Sequence, residues 1–344
     1  MSRARLAFAI GALCLAGAMA VDAEPRNLRI RIGTIVPEGS PWHETLQYVS
    51  QGWRKIVGPS LTVQIIPNGQ AGDEHAMVMK MRAGTIDAVG LSSVGLWYID
   101  PAVSCLQLPM LLASYEELDY VRDGIAIELE RRIEAKGFKV VHWADGGWIY
   151  LFSVKPARTP VDLRAMRLFT STGDPETEKL YSELGFRVVP MPSTDLAQQL
   201  QAGKLDAFAM PPLFAQLQQL YRLAPHMTDV RWTPLVGGTV IRLDVWKRLP
   251  ADHHEALSSV AKQAGERLRP DIRRLGDASI GEMQKRGLKV VEVDANTRRL
   301  WAQEAQNAYP RLRGRSCPAD VFDRVVALRD EFRARVTTKT GRQP

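Results

Sequence analysis

The sequence predicts an α/β fold with two similar lobes. Short β-branched runs alternate with amphipathic helical stretches, a pattern typical of substantially parallel sheets covered by helices. One strand–helix–strand pattern occurs twice, in distant parts of the chain. The chain has 344 residues, 45% of them hydrophobic and 24% charged, so its length suggests two domains and its composition excludes intrinsic disorder.

The N-terminal segment predicts export. Arg3 and Arg5 precede an apolar run over residues 6–20 that ends in small residues, as in a Sec signal peptide. We expect a signal peptide over residues 1–23, cleaved after Ala20 or Ala23, and a mature protein that works in solution in the periplasm. Cys14 follows Leu13 instead of a small residue, which favours simple cleavage over a lipid anchor.

The first lobe is expected to begin with a strand at residues 28–32. A helix follows, because apolar residues recur at helical spacing at Trp42, Leu46, Val49, Trp53 and Ile56. A second strand at 61–65 and the Asn68-Gly69 turn lead into another helix, and a third strand covers 86–91. This order of elements predicts one α/β unit.

The second unit repeats part of the first. Residues 65–67, Ile-Ile-Pro, lead through a helix to Ala-Gly-Thr-Ile-Asp-Ala at 83–88, and residues 188–190, Val-Val-Pro, lead through a helix to Ala-Gly-Lys-Leu-Asp-Ala at 202–207. Glycine after the last helical turn is typical of a left-handed cap. A helix ended by glycine is common in any α/β protein, but the flanking prolines favour duplication.

Two glycine-rich segments are predicted to be crossovers between the lobes. The first is a loop at 145–147, which follows a helix at about 115–136 and a strand at 138–143. The second lies at 235–238, before a strand at 239–243 that returns to the first lobe. We therefore expect the following division of the chain: lobe I at 24–147 and 237–294, lobe II at 148–236, and a C-terminal helical segment at 295–344 that packs across the lobes. Two crossovers make a hinge, and a cleft between hinged lobes favours small-molecule binding.

Composition and motifs argue against several other functions. The net charge of +7 comes from 45 basic and 38 acidic residues mixed along the chain, which is typical of a solvated surface and not of a nucleic-acid interface. His253 and His254 are adjacent, so on a helix they point about 100° apart and do not predict a metal site. The sequence has no nucleophile elbow, phosphate loop, dinucleotide fingerprint or zinc-protease motif. We expect a binding protein without cofactor or metal, and not an enzyme.

Two cysteines remain after the predicted cleavage. Cys105 lies in an apolar run and Cys317 lies beside Pro318. The periplasm permits a disulfide, but their spacing along the chain says nothing about their proximity in space. We expect two free thiols.

Several motifs, in order along the chain, resemble the DctP-type solute-binding proteins of tripartite ATP-independent periplasmic (TRAP) transporters. They are Gly33-Thr34, Gly39-Ser40-Pro41-Trp42-His43, Pro67-Asn68-Gly69-Gln70-Ala71-Gly72-Asp73, Ala83-Gly84-Thr85-Ile86-Asp87, Leu108-Pro109-Met110-Leu111-Leu112, Thr159-Pro160-Val161-Asp162-Leu163 and Pro190-Met191-Pro192. The resemblance implies a periplasmic binding protein-like fold, with two α/β lobes joined by hinge strands and a long bridging helix that begins near Leu249. It also implies capture of a small molecule for membrane permease subunits. We expect a monomer, which could also bind an additional periplasmic protein.

The sequence departs from this family at the ligand site. Most members carry an arginine that binds the substrate carboxylate, and Phe169 stands at that position. Ile149 stands where a second arginine is often found, so the usual anion clamp is predicted to be absent, since neither side chain can imitate a bidentate guanidinium. A shift of two residues would let Arg167 serve, but it would move the side chain by about 7 Å.

Apolar side chains replace the clamp in our prediction. The predicted ligand-binding residues are Phe169, Ile149, Trp148, Met210, Phe214, Met191 and Trp97, with Ser92, Ser93, Gln70 and Thr170 orienting a polar end. This set predicts a hydrophobic or amphipathic ligand, including lipid-like molecules. The alternatives are an ordinary organic acid bound through a shifted arginine such as Arg167, a periplasmic lipid chaperone, and an exported enzyme on a binding-protein fold.

Overall fold

The structure is a computed structural model that describes residues 27–172 and 174–340. The predicted signal peptide, its two candidate cleavage sites and Cys14 lie outside the described residues. Within the described part of the chain, no helix is long and apolar enough to cross a membrane.

The chain alternates strands and helices, as its apolar pattern predicts. The strands are β1 Leu28–Thr34, β2 Leu61–Ile66, β3 Ala88–Ser92, β4 Phe138–Ser153, β5 Arg167–Ser171, β6 Arg187–Met191, β7 Ala207–Met210, β8 His226–Arg242 and β9 Lys289–Val291. The α-helices are α1 Pro41–Val57, α2 Glu74–Arg82, α3 Ser93–Trp97, α4 Tyr115–Ala135, α5 Pro160–Arg164, α6 Pro175–Glu183, α7 Leu196–Gln201, α8 Pro212–Leu217, α9 Leu243–Trp246, α10 His254–Gln284, α11 Ala295–Leu312 and α12 Ala319–Thr340. A 3-10 helix at Pro101–Gln107 follows α3.

The strands form one mixed sheet in the order β2-β1-β3-β8-β4-β7-β5-β6, with β9 beside β8. Three parallel strands stand at each end, β2-β1-β3 in lobe I and β7-β5-β6 in lobe II. The long strands β8 and β4 pair antiparallel with each other and with both groups. The predicted α/β fold with two lobes is therefore confirmed, and the hinge strands join the lobes into a continuous sheet.

The predicted crossover loops are wrong in their local structure. Residues 145–147 lie inside β4 and residues 235–238 lie inside β8, so each crossover is an extended strand. The glycines instead accommodate irregular pairing, because the register of β4 shifts between Asp145 and Gly147, and Gly147 has a φ of 90°. The lobe boundaries predicted at 147/148 and 236/237 fall within these strands and stay a prediction.

The internal repeat corresponds to equivalent parts of the sheet. The first copy spans β2, α2 and β3, and the second spans β6, α7 and β7. In each copy the first strand is at the outer edge of the sheet and the last strand adjoins a hinge strand. Gly84 and Gly203 follow the two helices with φ of 76° and 63°, which confirms the predicted left-handed caps.

The long bridging helix is α10, which spans 31 residues. It begins at His254 and not near Leu249, because Pro250 starts a 3-10 turn at Ala251–His253 before the α-helix. Along its length it packs against α1 in lobe I, the hinge strand β4, and α8 in lobe II. The helix therefore packs against both lobes and against the hinge between them.

The C-terminal helices lie on different lobes. Trp301 of α11 is buried against lobe II, and Arg164 pairs with Glu304 at 2.6 Å. Arg333 of α12 pairs with Glu117 of α4 in lobe I at 2.5 Å. The chain thus crosses from one lobe to the other in the short connection between α11 and α12.

A disulfide fixes this connection, so the prediction of two free thiols is wrong. Cys317 is bonded to Cys105 in the 3-10 helix of lobe I, with 5.3 Å between the Cα atoms. The two residues are 212 positions apart, and only the packing of α11 and α12 brings them together. The bond is consistent with an oxidising compartment.

A buried ion network braces the hinge. Asp145 of β4 accepts hydrogen bonds from Arg122 of α4 at 2.8 Å and from Arg273 of α10 at 2.7 Å. Both arginines also contact Asp119, each at 2.6 Å. The side chains of Arg122 and Asp145 are only 2% and 1% exposed, so their charges depend on each other for compensation.

Candidate functional site

Two cavities lie side by side between the lobes, along hinge strand β8. Residues 232, 233 and 235 of this strand line one cavity, and residues 235–239 line the other. Gly146 opposite leaves room for Leu235, because a Cβ there would lie 2.5 Å from its Cδ2. Leu235 therefore stands where the two cavities meet.

The cavity lined by Thr233 is called the Phe169 cavity. It encloses about 1090 Å³, counting its part open to solvent. Lobe I contributes α3 and the 3-10 helix, including Trp97 and Gln107. Lobe II contributes β5 and α6, including Phe169 and Tyr181, and the C-terminal connection adds Ser316. Both lobes and the C-terminal connection thus form walls of this cavity.

The Phe169 cavity has no cationic wall. Phe169 and Ile149 both line it. Among the described residues that line the cavity there is no Arg or Lys. A bidentate guanidinium clamp is therefore absent from these lining residues.

Three buried polar atoms in its walls have no hydrogen-bond partner. They are Trp97 Nε1, Thr170 Oγ1 and Ser316 Oγ. They come from lobe I, lobe II and the C-terminal connection respectively. A buried donor without a partner costs about 1–3 kcal/mol, so such groups in a cavity wall favour a ligand that supplies acceptors. Together they offer one N–H and two O–H groups.

The carboxyl group that caps α6 and a phenol within this helix line the same cavity. Burial raises the pKa of Asp174, whose carboxylate also accepts a hydrogen bond from the Thr177 backbone N–H at 3.0 Å. Burial raises the pKa of Tyr181 to about 12, so its phenol stays protonated and accepts from Trp232 Nε1 at 3.2 Å. Where Asp174 holds its proton it can donate to an acceptor.

The second cavity, which we call the Trp42 cavity, encloses about 660 Å³, counted in the same way. Its apolar walls come from both lobes and from the bridging helix: Ile35, Val36, Trp42, Leu46, Phe214, Leu235 and Leu268. Trp42 Nε1 donates to the Asp145 carbonyl oxygen at 2.9 Å, which leaves the ring to face the cavity without an unpaired donor. The open space is therefore bounded largely by carbon.

The ionisable groups beside the Trp42 cavity are neutral or paired. Burial raises the pKa of Glu74, and its carboxyl contacts the Ser92 hydroxyl at 2.7 Å. Burial lowers the pKa of His142 to about 4, so the ring is neutral and pairs with Thr239 Oγ1 at 3.0 Å. Asp145 is held by its two arginines. None of the residues that line this cavity has an unpartnered buried polar side-chain atom among those described.

The structure brings some predicted site residues together and separates others. Trp97, Ile149, Phe169, Thr170 and Ser93 line the Phe169 cavity. Ser92 and Phe214 line the Trp42 cavity. The two serines already have partners, since Ser92 contacts Glu74 and Ser93 contacts Gln107. Their hydroxyls are thus less available to a ligand than that of Thr170.

The remaining predicted residues do not line either cavity. Trp148 is 2% exposed and packs in the core against Tyr115, with ring centroids 5.5 Å apart. Met191 and Met210 are half-buried against the same core. Gln70 is exposed in the turn before α2. These placements separate side chains that hold the sheet together from those that face the cavities.

Arg167 also lies outside both cavities. Its guanidinium donates to both oxygens of Asp206, at 2.7 Å from Nε and 2.8 Å from Nη2. This hydrogen bond lowers the pKa of Asp206. A role for Arg167 in ligand binding would require the pair to break.

Sequence reasoning missed most of the other lining residues, among them Asp174, Tyr181, Trp232 and Ser316. No distinctive motif marks the segments that contain Asp174, Tyr181 and Trp232. The Asp174-Pro175 pair is typical only of a helix start, here that of α6. Ser316 could have been found only from the disulfide beside it, and the sequence separation hid that bond.

Comparison with known proteins identifies the family. The model of bacterial extracellular solute-binding protein family 7, DctP, matches residues 32–314. The chain belongs to this family. DctP-family proteins of TRAP systems bind small molecules and work with membrane permease subunits, which confirms the predicted class of protein.

Curated relatives of this DctP-family chain have names that state their ligands. The 2,3-diketo-L-gulonate-binding periplasmic protein YiaO of Escherichia coli is 25% identical over 239 residues, which cover 67% of the chain and 71% of the relative. The C4-dicarboxylate-binding periplasmic protein DctP of Rhodobacter capsulatus is 21% identical, with 88% and 92% covered.

Solved structures of TRAP periplasmic solute-binding proteins share the fold. The one from Ralstonia eutropha with bound (S)-2-acetolactate has a TM-score of 0.82 at 18% identity, and the one from Xanthobacter autotrophicus with bound β-D-galacturonate has 0.81 at 18%. Each comparison covers 88% of this chain and 99% of the other. In the described residues, no cluster of three or more His, Cys, Asp or Glu could hold a metal ion.

Proposed function

We propose that this DctP-family protein is the periplasmic receptor of a TRAP-type transporter and binds a small organic acid in the Phe169 cavity. One observation carries the proposal: three residues that line this cavity have unpartnered polar atoms. They are Trp97 Nε1, Thr170 Oγ1 and Ser316 Oγ. A carboxylate or hydroxyl oxygen supplies the acceptors that these groups lack.

The relatives support the organic acid over the hydrophobic or amphipathic, lipid-like ligand that the sequence predicted. Those with a named or bound ligand take 2,3-diketo-L-gulonate, C4-dicarboxylates, acetolactate, galacturonate or succinate. A hydrophobic molecule would leave the three donors of the Phe169 cavity without partners at a cost of about 1–3 kcal/mol each. The alternative of an organic acid is therefore the better one.

The manner of recognition differs from an arginine clamp. Neutral N–H and O–H donors hold the acid, and Phe169 and Ile149 contact its carbon skeleton. Hydrogen bonds from neutral donors depend less on ionic strength than a charge pair does. We expect the affinity for the acid to change by less than about threefold between low and high salt.

The experiment is a thermal-shift screen of protein that has been unfolded, dialysed and refolded to remove any co-purified ligand. The panel holds succinate, D-galacturonate, L-gulonate and acetolactate together with neutral sugars and a phospholipid. A rise in Tm with at least one acid supports the proposal. A response confined to the phospholipid would support the lipid chaperone instead.

Calorimetry of the acid that binds then tests the donors. Thr170→Val keeps the shape of the side chain, and Trp97→Phe keeps a smaller aromatic ring; each removes one donor, so each should weaken binding by roughly 3- to 10-fold. Thr228→Val is the matched control, because its hydroxyl donates to the Ala157 carbonyl oxygen at 2.6 Å outside both cavities. It should leave the affinity unchanged.

A further inference from the structure

The Trp42 cavity has no role in the capture of a compact acid, although it adjoins the site. The Phe169 cavity encloses about 1090 Å³ and the Trp42 cavity about 660 Å³, and both volumes count space open to solvent. The Trp42 cavity is therefore a recess of the cleft beyond Leu235, in which a further part of the ligand can lie.

The two cavities differ in the chemistry of their walls. Three residues that line the Phe169 cavity each carry a buried polar atom without a partner, whereas every buried polar side-chain atom described around the Trp42 cavity has one. Trp42, Phe214 and Leu268 present ring and alkyl surface to it. A space of this kind favours apolar groups and not water.

The shared position of Leu235 makes the cavities parts of one site. Leu235 lines both cavities, so a molecule in contact with its side chain can extend from one cavity into the other. Ser92 and Ser93, neighbours at the end of β3, line one cavity each.

We propose that the ligand is an amphipathic organic acid, whose acid group lies in the Phe169 cavity and whose alkyl or aryl substituent fills the Trp42 cavity. This inference rests on the proposed function and names the substrate class. Trp42, Phe214 and Leu268 are the specificity-determining residues, since they come from lobe I, lobe II and the bridging helix and enclose the substituent when the lobes close.

Affinity should therefore grow with the apolar part of the acid. The probes are straight-chain alkanoates from propanoate to decanoate and 4-phenylbutanoate, titrated into stripped protein beside the compact acids succinate and D-galacturonate. Each buried methylene should improve the dissociation constant by roughly fourfold until the cavity is full. The phenyl compound should bind at least tenfold more tightly than butanoate.

Variants that fill the Trp42 cavity separate its role from that of the acid site. Leu268→Phe and Ala144→Leu each place extra carbon in the cavity, and two variants are used in case one fails to fold. Each should abolish the gain in affinity from propanoate to decanoate, so that the ratio of the two dissociation constants falls towards one. Leu300→Phe is the matched control, because Leu300 is an exposed residue of α11; it should leave the affinity for every probe unchanged.

The outcomes distinguish this inference from the proposed function. Binding that grows with chain length and is lost in the two filled variants supports the amphipathic acid. Tight binding of succinate or D-galacturonate with no gain from chain length would overturn it and leave the proposed function standing. Failure of every acid to bind would overturn the proposed function itself.

Discussion

Arg167 is bound to Asp206 in the same way in lobe II as Arg31 is bound to Asp87 in lobe I. In each pair the carboxylate oxygen Oδ2 accepts from the arginine backbone N–H, at 2.9 Å and 2.8 Å respectively, and from its Nε, at 2.7 Å and 3.2 Å. Each aspartate precedes a strand next to the hinge, and each arginine lies in the central strand of its group. The repeated relationship indicates that Arg167 holds two strands together.

Removal of Arg167 should therefore leave ligand binding intact. Arg167→Ala is expected to lower the free energy of unfolding by about 1 kcal/mol or less, because the pair is partly exposed. The affinity for the bound acid should stay within about twofold of the wild type in calorimetry.

Arg31→Ala is the matched control for this variant, since it removes the equivalent pair in lobe I. Both variants should give a similar small loss of stability in urea unfolding. A tenfold or larger loss of acid affinity in Arg167→Ala alone would instead assign the carboxylate to this arginine.

Asp174 is expected to make the stability depend on pH. Burial raises its pKa in the folded protein, so the native state holds the proton more tightly than the unfolded chain does. The sign follows from linkage: the contribution is fully present below the ordinary aspartate value of about 4 and is lost as the pH rises through the higher pKa of the folded protein.

Asp174→Asn should therefore raise Tm near neutral pH and lose this advantage near about pH 4. Asparagine keeps an oxygen that can accept from the Thr177 N–H at the helix start. The variant should also bind an anionic ligand more tightly at neutral pH, because it removes a negative charge from the cavity wall. Thermal unfolding with equal Tm differences at both pH values would contradict this assignment.

The disulfide between Cys105 and Cys317 should contribute strongly to stability. Replacement of both cysteines by serine removes a link across 212 residues and is expected to cost roughly 2–5 kcal/mol. Because Ser316 and Cys317 line the Phe169 cavity, the affinity for the acid should fall as well. Urea unfolding with and without reductant checks the assignment, since reductant should destabilise the wild type and leave the double variant unchanged.

The buried network at the hinge offers a test of charge compensation. Arg122→Met removes a buried cation and leaves Asp145 with Arg273 alone, which should cost about 3 kcal/mol. Arg274→Met is the matched control on α10, where an exposed pair with Asp271 should contribute less than about 1 kcal/mol. Equal losses from the two variants in urea unfolding would show that the network does not brace the hinge.

Local patterns in the sequence were sufficient for much of the fold. The helix with apolar residues from Trp42 to Ile56 is α1, and the glycines at 84 and 203 end helices as predicted. The glycines at 146–147 and 237–238 suggested loops, because the same residue type serves both turns and irregular strand pairing. Only the pairing of β4 with β8 over most of their length distinguishes these cases.

The candidate site was partly predictable. The family resemblance predicted that Phe169 and Ile149 belong to the site, and both line the cavity. Met191, Met210 and Trp148 were assigned to the site by residue type, but such side chains serve equally well in the core. Ser316 lies at the cavity because its neighbour Cys317 is bonded to Cys105. No local sequence pattern reveals this long-range contact.

The most direct test of the central claim is a crystal structure of the protein with the organic acid that binds it. The account predicts carboxylate or hydroxyl oxygens within about 3.2 Å of Trp97 Nε1 and Thr170 Oγ1 in the Phe169 cavity, with Arg167 still bound to Asp206. An acid whose carboxylate contacts Arg167, or one that lies outside the Phe169 cavity, would contradict it.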